Sequence, residues 1–150
     1  MDQKRIRTYK TDAIILSQRQ FGETDKLITV FTKEHGKKTI IAKGILRSTS
    51  PLNYHLDNMN LARLVMSKGK NLDLVTQASV IESFEYIRNS YDLTVQGLYI
   101  LELIDKFTIE HNNDTSLYDS IIATFRNISS HKSIVKFLIA RLFYNDALVT

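Results

Sequence analysis

The sequence predicts an α+β fold in which a five-stranded barrel precedes a bundle of helices. Two observations support this prediction. The only proline and all but one of the five glycines fall before residue 80, at the spacing expected of turns between short strands. After residue 81 the hydrophobic period changes from two residues to about 3.6 residues, which is typical of amphipathic helices. We therefore expect one domain over residues 1–80 and a second, helical domain over residues 81–150.

The first half contains five apolar segments of strand length. They lie near residues 11–19, 26–33, 38–46, 59–67 and 72–80. Five strands within about 70 residues, separated by glycines, are typical of the OB-fold, a small and partly open barrel. In the second segment both sets of alternating residues are largely apolar, so both faces of this strand are expected to be buried. The polar segment 47–58, which contains the proline, is predicted to be a long loop.

The longest helical pattern begins after residue 81 and is predicted to break near Asn89 and Ser90. Its apolar residues recur every three or four positions and are expected to form one buried stripe: Phe84, Ile87, Tyr91, Val95, Leu98, Leu101, Ile104 and Phe107. Tyr99, Ile100 and Leu103 lie outside this stripe, so the helix is apolar over a wide arc. A fully enclosed helix explains this arc most simply, and a groove for an apolar peptide tail is the alternative.

Two further helices are predicted toward the end of the chain. Ser116 and Asp119 have the spacing of a capping box, which would open a helix with a regular apolar stripe. A last helix is expected from the apolar residues between Ile134 and Leu142. The second half is therefore predicted to be three or four helices packed as a bundle.

Composition excludes several classes of protein. The hydrophobic and charged fractions, 43% and 24%, are ordinary for a globular domain and argue against disorder. No apolar run approaches the ~18 residues of a membrane span, and the N-terminus lacks the apolar segment of a secretory signal. The chain has no cysteine, which excludes disulfides and thiolate zinc sites. A cytoplasmic protein is expected.

The net charge of +4 conceals a difference between the two halves. Residues 1–80 contain 14 lysines and arginines against 7 acids, whereas residues 81–150 contain 6 against 9. The first half is thus +7 and the second −3. A basic half suits a nucleic acid, an anionic membrane or an acidic protein as its partner, although uneven scatter of solvated charges would give a similar count.

Catalytic and cofactor motifs are missing from the sequence. The four histidines are widely spaced, and no pair of them has the i, i+4 spacing of a helical metal site. Residues Gly36–Thr39 read GKKT like the end of a P-loop, but Phe31 stands where that motif requires its upstream glycine. No serine, cysteine or paired-carboxylate motif of a known catalytic type is present. We expect neither enzymatic activity nor a cofactor.

The residues that remain for function are cationic. Nine lysines and arginines cluster around the first three predicted strands and are the candidate nucleic-acid contacts: Arg5, Arg7, Lys10, Arg19, Lys26, Lys37, Lys38, Lys43 and Arg47. In this pattern Lys37 and Lys38 cap a hairpin, and Lys43 and Arg47 run along the third strand. Such a track gives salt-dependent affinity for phosphates. Phe21, Tyr9 and Tyr54 lie beside cations and are candidates for base stacking, with simple packing as the alternative for Phe21 and Tyr54.

Several of these segments occur in an order that resembles the bacterial recombination mediator family RecO. An apolar strand is followed by an aromatic-Gly-Glu-x-Asp turn, a strand ending in Phe-Thr, an acidic-x-Gly hairpin and Ala-Lys-Gly. The matching segments are Ala13–Leu16, Phe21–Asp25, Phe31–Gly36 and Ala42–Gly44, and later Thr76–Ala78 and Gly97–Leu103. The resemblance covers nearly the whole chain.

The resemblance implies an OB-fold followed by a helical domain, and a function in recombinational repair of damaged DNA. A family member would bind single- and double-stranded DNA, anneal complementary strands and help RecR load RecA onto DNA coated by single-stranded DNA-binding protein (SSB). Lys43 and Arg47 match the family's basic strand, whereas Glu23, Asp25 and Gly44 match positions expected to set turn geometry. An adaptor that docks RecR or the acidic SSB tail through its helical half is the alternative.

The chain departs from the family pattern at its end. Many members continue into a cysteine-containing, often zinc-binding segment, whereas this sequence ends at Thr150 without a cysteine. Either the chain is part of a longer protein or it comes from a shortened lineage. Zinc is therefore not expected here, and the oligomeric state is left open.

Overall fold

The computed structural model describes residues 7–47, 49 and 52–128, and its first half is a five-stranded sheet. The strands are β1 (Thr8–Phe21), β2 (Asp25–Thr32), β3 (Gly36–Ala42), β4 (Leu61–Ser67) and β5 (Asp73–Glu82). Their spatial order is β1-β2-β3-β5-β4, and β4 pairs with β1, so the sheet closes on itself. The predicted α+β arrangement of five strands followed by helices is confirmed, and the sheet is consistent with an OB-fold.

The observed strand bounds correct the predicted positions of several cations. Lys37 and Lys38 lie inside β3 rather than at the tip of its hairpin, and Lys10 lies inside β1. Lys43 and Arg47 follow β3 in a turn instead of running along the strand. The cause is that β3 begins two residues early and ends at Ala42, ahead of a turn in which Gly44 has a φ of +68°.

The interior of the barrel is an apolar core closed at one end by a short helix. Alternate residues from all five strands fill it, among them Ile15, Ile28 and Leu64, which are fully buried. Helix α1 (Leu52–His55) lies within the segment that was predicted to be loop, and Leu56 after it is fully buried in the same core. Burying each such side chain stabilises the fold by about 1.5–3 kcal/mol.

The outer face of β1 and β2 packs against the helices. Ile14 and Leu16 of β1 and Phe31 of β2 belong to one buried cluster with residues of helices α2 (Glu85–Arg88), α3 (Tyr91–Phe107) and α4 (Thr115–Asn127). Since neighbouring residues on these strands also fill the barrel interior, both faces of β2 are buried, as predicted. A division of the chain at residue 80 stays a prediction, and β5 itself extends to Glu82.

The buried face of α3 differs from the predicted stripe. The break near Asn89 is confirmed, because α3 is a separate helix with Ser90 as its N-cap. Its buried residues are Gly97, Ile100, Leu101 and Ile104. The predicted stripe members Tyr91, Val95 and Leu98 are instead exposed, by 84%, 50% and 48%. The prediction holds for Leu101 and Ile104 but was wrong for these three residues, because it carried the phase of Phe84 and Ile87 across the break, where the backbone of Ser90 is extended.

Helix α4 is capped two residues earlier than predicted. Asp114, rather than Ser116, is the N-cap, and its carboxylate accepts a hydrogen bond of 2.9 Å from the Leu117 N–H. The expected apolar stripe is confirmed, since Leu117, Ile121 and Phe125 are buried. The predicted last helix lies outside the described residues, so a complete helical bundle stays a prediction.

The segment between α3 and α4 is joined to the start of β3 by close backbone contacts. The His111 N–H donates to the Lys37 carbonyl at 3.0 Å, and a bridge pairs Lys37 with Glu110. Gly36 has a φ of +66°, and a Cβ atom there would lie 2.4 Å from the Asn112 carbonyl oxygen. A glycine is therefore required at position 36 by both conformation and space.

This contact predicts unequal costs for two glycine substitutions. Gly22→Ala, at a φ of +70° with no atom within 4 Å of the added Cβ, should lose about 1 kcal/mol through backbone strain alone. Gly36→Ala should lose at least about 1–2 kcal/mol more, because the 110–112 segment must also move. Urea unfolding of both variants measures the difference. Equal losses of stability in the two variants would show that residues 110–112 can move away from β3 without cost.

Candidate nucleic-acid interface

Four predicted contact residues meet at the end of the barrel where β1 turns into β2. The register pairs Arg19 with Leu27, Phe21 with Asp25, and Lys26 with Ala42, so the end of β1, the start of β2 and the end of β3 are adjacent. The Leu46 N–H donates to the Thr24 carbonyl at 2.9 Å and holds the turn after β3 against the β1–β2 turn. We call this end the cationic rim, and its cations are Arg19, Lys26, Lys43 and Arg47.

The cations of the rim form no ion pair with a carboxylate among the described residues. Arg19, Lys43 and Arg47 are exposed, and among the described residues no carboxylate lies within ion-pair distance of any of them. The half-buried Lys26 ammonium donates to the neutral side chains of Gln18 at 3.1 Å and Asn53 at 3.3 Å. Four positive charges thus outnumber the two acids of the rim, Glu23 and Asp25, and this excess of positive charge attracts phosphates.

Two acids, Glu23 and Asp25, lie in the rim between Phe21 and Lys26, and the role of Asp25 there is structural. Its carboxylate accepts hydrogen bonds from the Gly44 N–H at 2.7 Å and the Thr24 hydroxyl at 3.0 Å. The Gly44 hydrogen bond first, then Thr24, and the nearby charges of Lys43 and Arg47 hold the pKa of Asp25 below its ordinary value. The turn-setting role expected of Asp25 and Gly44 is confirmed by this contact.

Two aromatic side chains stand at or beside the rim with exposed surface. Phe21 ends β1 and is 48% exposed. Tyr54 is 65% exposed on helix α1, next to the Asn53 that accepts from Lys26. An exposed ring beside uncompensated cations has the geometry that a base-stacking side chain needs. Whether either ring stacks on a base is not tested by this arrangement and stays a prediction.

Lys37 and Lys38 point away from the rim and have internal partners. The Lys37 ammonium contacts the Asp105 carboxylate at 3.0 Å and donates to the carbonyls of Asp105 and Thr108 at the end of α3. The Lys38 ammonium lies 2.8 Å from the Asp73 carboxylate. Both lysine side chains are 13–15% exposed. Their predicted DNA contacts are untested, but their visible role is to join β3 to α3 and to β5.

The remaining predicted cations lie elsewhere. Arg7 and Lys10 are exposed at the start of β1, which is the end of that strand farthest from the rim. Lys10 lines a cleft of about 370 Å³ together with Lys33, Arg63 and the acids Asp12 and Glu34. Arg5 lies outside the described residues. The structure therefore brings together four of the nine predicted cations.

Two exposed lysines lie outside the predicted contact set. Lys68 and Lys70 lie in the turn between β4 and β5. Their Lys-Gly-Lys pattern was a usable signal, because a glycine between two lysines is typical of a turn that exposes both charges. In the part of the chain that the structure describes, no group of three His, Asp or Glu side chains could hold a metal ion. None of the described helices is long and apolar enough to cross a bilayer.

Comparison with known proteins gives consistent similarities. The chain is 31% identical over 121 residues to the DNA repair protein RecO of Pelotomaculum thermopropionicum, a match that covers 81% of this chain and 47% of that protein. The same-named proteins of Heliobacterium modesticaldum and Caldicellulosiruptor saccharolyticus are 36% identical over 107 residues and 37% identical over 109 residues. These two matches cover 71% and 72% of this chain, and 39% and 45% of the relatives. The chain thus spans less than half the length of these relatives.

The barrel itself is matched by a model of a protein family. Residues 6–84, which include all five strands and the cationic rim, match the N-terminal domain of recombination protein O. The matched residues are more than half of the chain. This chain therefore belongs to the recombination protein O family, and it carries that family's N-terminal domain.

Proposed function

We propose that this chain is a DNA-binding mediator of recombinational repair and not an enzyme. It binds single- and double-stranded DNA, anneals complementary strands and helps RecR load RecA onto SSB-coated DNA. Family membership supports this role, and relatives that match the chain over part of their length are named DNA repair proteins. The observation that carries the proposal is the rim, where four cations without acidic partners among the described residues adjoin the exposed Phe21.

In this proposal Arg19, Lys43 and Arg47 contact phosphates, and Lys26 adds charge from the start of β2. Each phosphate contact by a cation releases counterions, so affinity falls as salt rises. Lys37 and Lys38 are left out of the contact set, since replacing them would break ion pairs that join elements of the fold. In this proposal the protein acts in the cytoplasm and binds DNA without a metal ion.

The first prediction concerns the double variant Lys43→Gln, Arg47→Gln. Each contact with single-stranded DNA contributes about 0.7 to the slope of log affinity against log salt, so losing two should lower the slope by about 1.4. At ~0.1 M salt this corresponds to about a 25-fold loss of affinity. Fluorescence anisotropy of a labelled oligonucleotide, titrated at several salt concentrations, measures both quantities.

The matched control for this variant is Lys33→Gln, Lys106→Gln. It removes the same charge from two exposed positions away from the rim. The affinity of the control variant for the oligonucleotide should fall less than about threefold, because solvent and salt screen distant charges. Equal losses in the two variants would mean that net charge, and not the rim, governs binding. A wild-type chain that fails to bind at low salt would overturn the proposed function itself.

A second prediction separates stacking from phosphate contact. Phe21→Ala should weaken binding of single-stranded DNA by about 1–3 kcal/mol, since base–aromatic stacking has that magnitude, and should change duplex binding little. Phe21→Tyr keeps a ring and should retain most of the affinity. Competition titrations with single strands and duplexes provide the comparison. A parallel loss for both kinds of DNA would point to altered rim structure, and an unchanged single-strand affinity would remove Phe21 from the site.

A protein-binding adaptor is the second candidate function. Four large apolar side chains on α3 are exposed between 48% and 84%: Tyr91, Val95, Leu98 and Tyr99. Exposed apolar patches of this kind mark protein-binding surfaces. In this alternative the helical half docks RecR or the acidic SSB tail, and DNA binding is weak.

The adaptor function has its own prediction. An acidic peptide ending in phenylalanine should bind saturably, and the affinity should survive Lys43→Gln, Arg47→Gln but fall at least about tenfold in Val95→Ser, Leu98→Ser. Isothermal titration calorimetry measures these affinities, and a scrambled peptide of equal charge is the control. No heat of binding at high micromolar peptide would count against the adaptor. A loss in the rim variant alone would instead reveal a charge-driven contact.

A further inference from the structure

An acid occupies the middle of the cationic rim. Asp25 opens β2 opposite Phe21, and the rim residue Lys26 follows it directly. The hydrogen bond from Gly44, followed by that from Thr24, holds the pKa of Asp25 below its ordinary value, so the carboxylate is charged at neutral pH. By charge alone this group repels phosphates, and its removal would strengthen DNA binding. The hydrogen bonds of Asp25 indicate the opposite effect.

The Asp25 carboxylate joins two turns that are distant in sequence. It accepts a hydrogen bond of 2.7 Å from the Gly44 N–H, 19 residues further along the chain, and one of 3.0 Å from the Thr24 hydroxyl. A carboxylate forms a stronger hydrogen bond with a backbone N–H than a neutral acceptor does. Since this N–H belongs to the peptide bond between Lys43 and Gly44, the contact fixes the backbone directly after Lys43, where Gly44 has a φ of +68°.

The same turn sets the position of Arg47. The Arg47 N–H donates to the Gly44 carbonyl at 3.2 Å and closes the turn over residues 44–47. The guanidinium lies beside Gly44, since a Cβ atom built there would be 3.6 Å from the Arg47 Nη2 atom. Gly44 is thus bonded to Asp25 through its N–H and to Arg47 through its carbonyl. A displacement of Gly44 would therefore move both Lys43 and Arg47.

The turn also has two attachments that do not depend on Asp25. The Leu46 N–H donates to the Thr24 carbonyl at 2.9 Å, and the Ile45 side chain is buried in the core of the barrel. Loss of the carboxylate should therefore loosen the start of the turn without unfolding the barrel. Cations on a loosened backbone must be ordered when DNA binds, and each side chain that is immobilised in this way weakens binding.

We propose that Asp25 is a positioning residue of the DNA interface, and that this acid strengthens the binding of single-stranded DNA by holding Lys43 and Arg47 in place. Asp25 contacts no phosphate itself. The inference rests on the proposed function, since it assumes that the rim binds DNA. It predicts a change of sign between two substitutions. Removal of the charge with the hydrogen bond kept should raise the affinity for DNA, and removal of both should lower it.

The test compares Asp25→Asn with Asp25→Ala on a labelled thymidine oligonucleotide at ~0.1 M salt. In Asp25→Asn the amide oxygen can still accept from the Gly44 N–H, so the affinity should rise about threefold, the effect of one lost charge at about 6 Å in water. In Asp25→Ala the hydrogen bond is lost, and the affinity should fall at least about fivefold, because two cations must then be ordered on binding. Fluorescence anisotropy measures both affinities.

The matched control is Glu23→Gln. Glu23 lies in the β1–β2 turn, is exposed, and makes no hydrogen bond or ion pair with the described residues. This control removes the same charge as the Asp25 variants and should raise the affinity about threefold. Equal changes in Asp25→Ala and Asp25→Asn, in either direction, would overturn the positioning role. A rise in Asp25→Ala equal to that in Glu23→Gln would show that Asp25 acts through its charge alone, and would overturn it as well.

A second readout separates positioning from a general loss of stability. In the background Lys43→Gln, Arg47→Gln the turn carries no cation that Asp25→Ala could displace, so the effect of this substitution should reverse to about a threefold gain in affinity. A fall of the same size in both backgrounds would mean that Asp25 supports the barrel as a whole, and would exclude positioning. Urea unfolding of each variant establishes that binding is measured on folded protein.

The wild-type chain allows a measurement that needs no substitution. The Gly44 N–H should exchange with deuterium at least about tenfold more slowly than a solvent-exposed amide, because the Asp25 carboxylate holds it in a hydrogen bond. Nuclear magnetic resonance of the backbone amides measures this rate. An unprotected Gly44 amide would overturn the inference even if Asp25→Ala fails to fold.

These outcomes are distinct from a failure of the proposed function. If the wild-type chain does not bind DNA, the proposed function and the inference both fail. If Lys43→Gln, Arg47→Gln loses about 25-fold in affinity while Asp25→Ala gains affinity like Glu23→Gln, the rim stands and the positioning role of Asp25 fails.

Discussion

The burial of β1 and β2 on both faces is the constraint on which the rest of the structure depends. Ala13 and Ile15 face the barrel interior, whereas Ile14 and Leu16 face the helices. A strand covered on both sides cannot offer its flat surface to a ligand. The flat faces of β1 and β2 are therefore closed to a ligand, and the exposed cations without acidic partners among the described residues lie at strand ends, in turns or near the start of β1.

The same constraint divides the cations into two groups. Lys37 and Lys38 lie on strand β3 and form ion pairs with Asp105 of α3 and Asp73 of β5. The two lysine side chains are only 13% and 15% exposed. Removing one partner of such a pair leaves an uncompensated charge and costs several kcal/mol. Lys43 and Arg47 lie only a few residues further along the chain, but in a turn, where solvent stabilises them without a partner. Position in the fold, and not residue type, separates cations that form internal ion pairs from cations that stay exposed.

Much of the fold could be predicted from local sequence, because the relevant signals are local. Glycine spacing and the change of hydrophobic period located five strands and the helices that follow. The errors occurred where a distant residue decides the outcome. Lys37 finds its partners 68 and 71 residues away, and no local pattern contains that information. The buried face of α3 was predicted only in part for a related reason. That face is set by packing against the barrel, and a new helix begins after Ser90.

The candidate site was predicted in part. The predicted cations fall in separate places because the register of strand pairing decides which strand ends are adjacent. The sequence placed Arg19, Lys26, Lys43 and Arg47 among the candidates, but only strand pairing shows that three strand ends bring them together. Lys68 and Lys70 were not among the predicted contacts because the candidates came from the first three strands, whereas these two lysines lie in the turn between β4 and β5, and the order β1-β2-β3-β5-β4 places β5 directly beside β3.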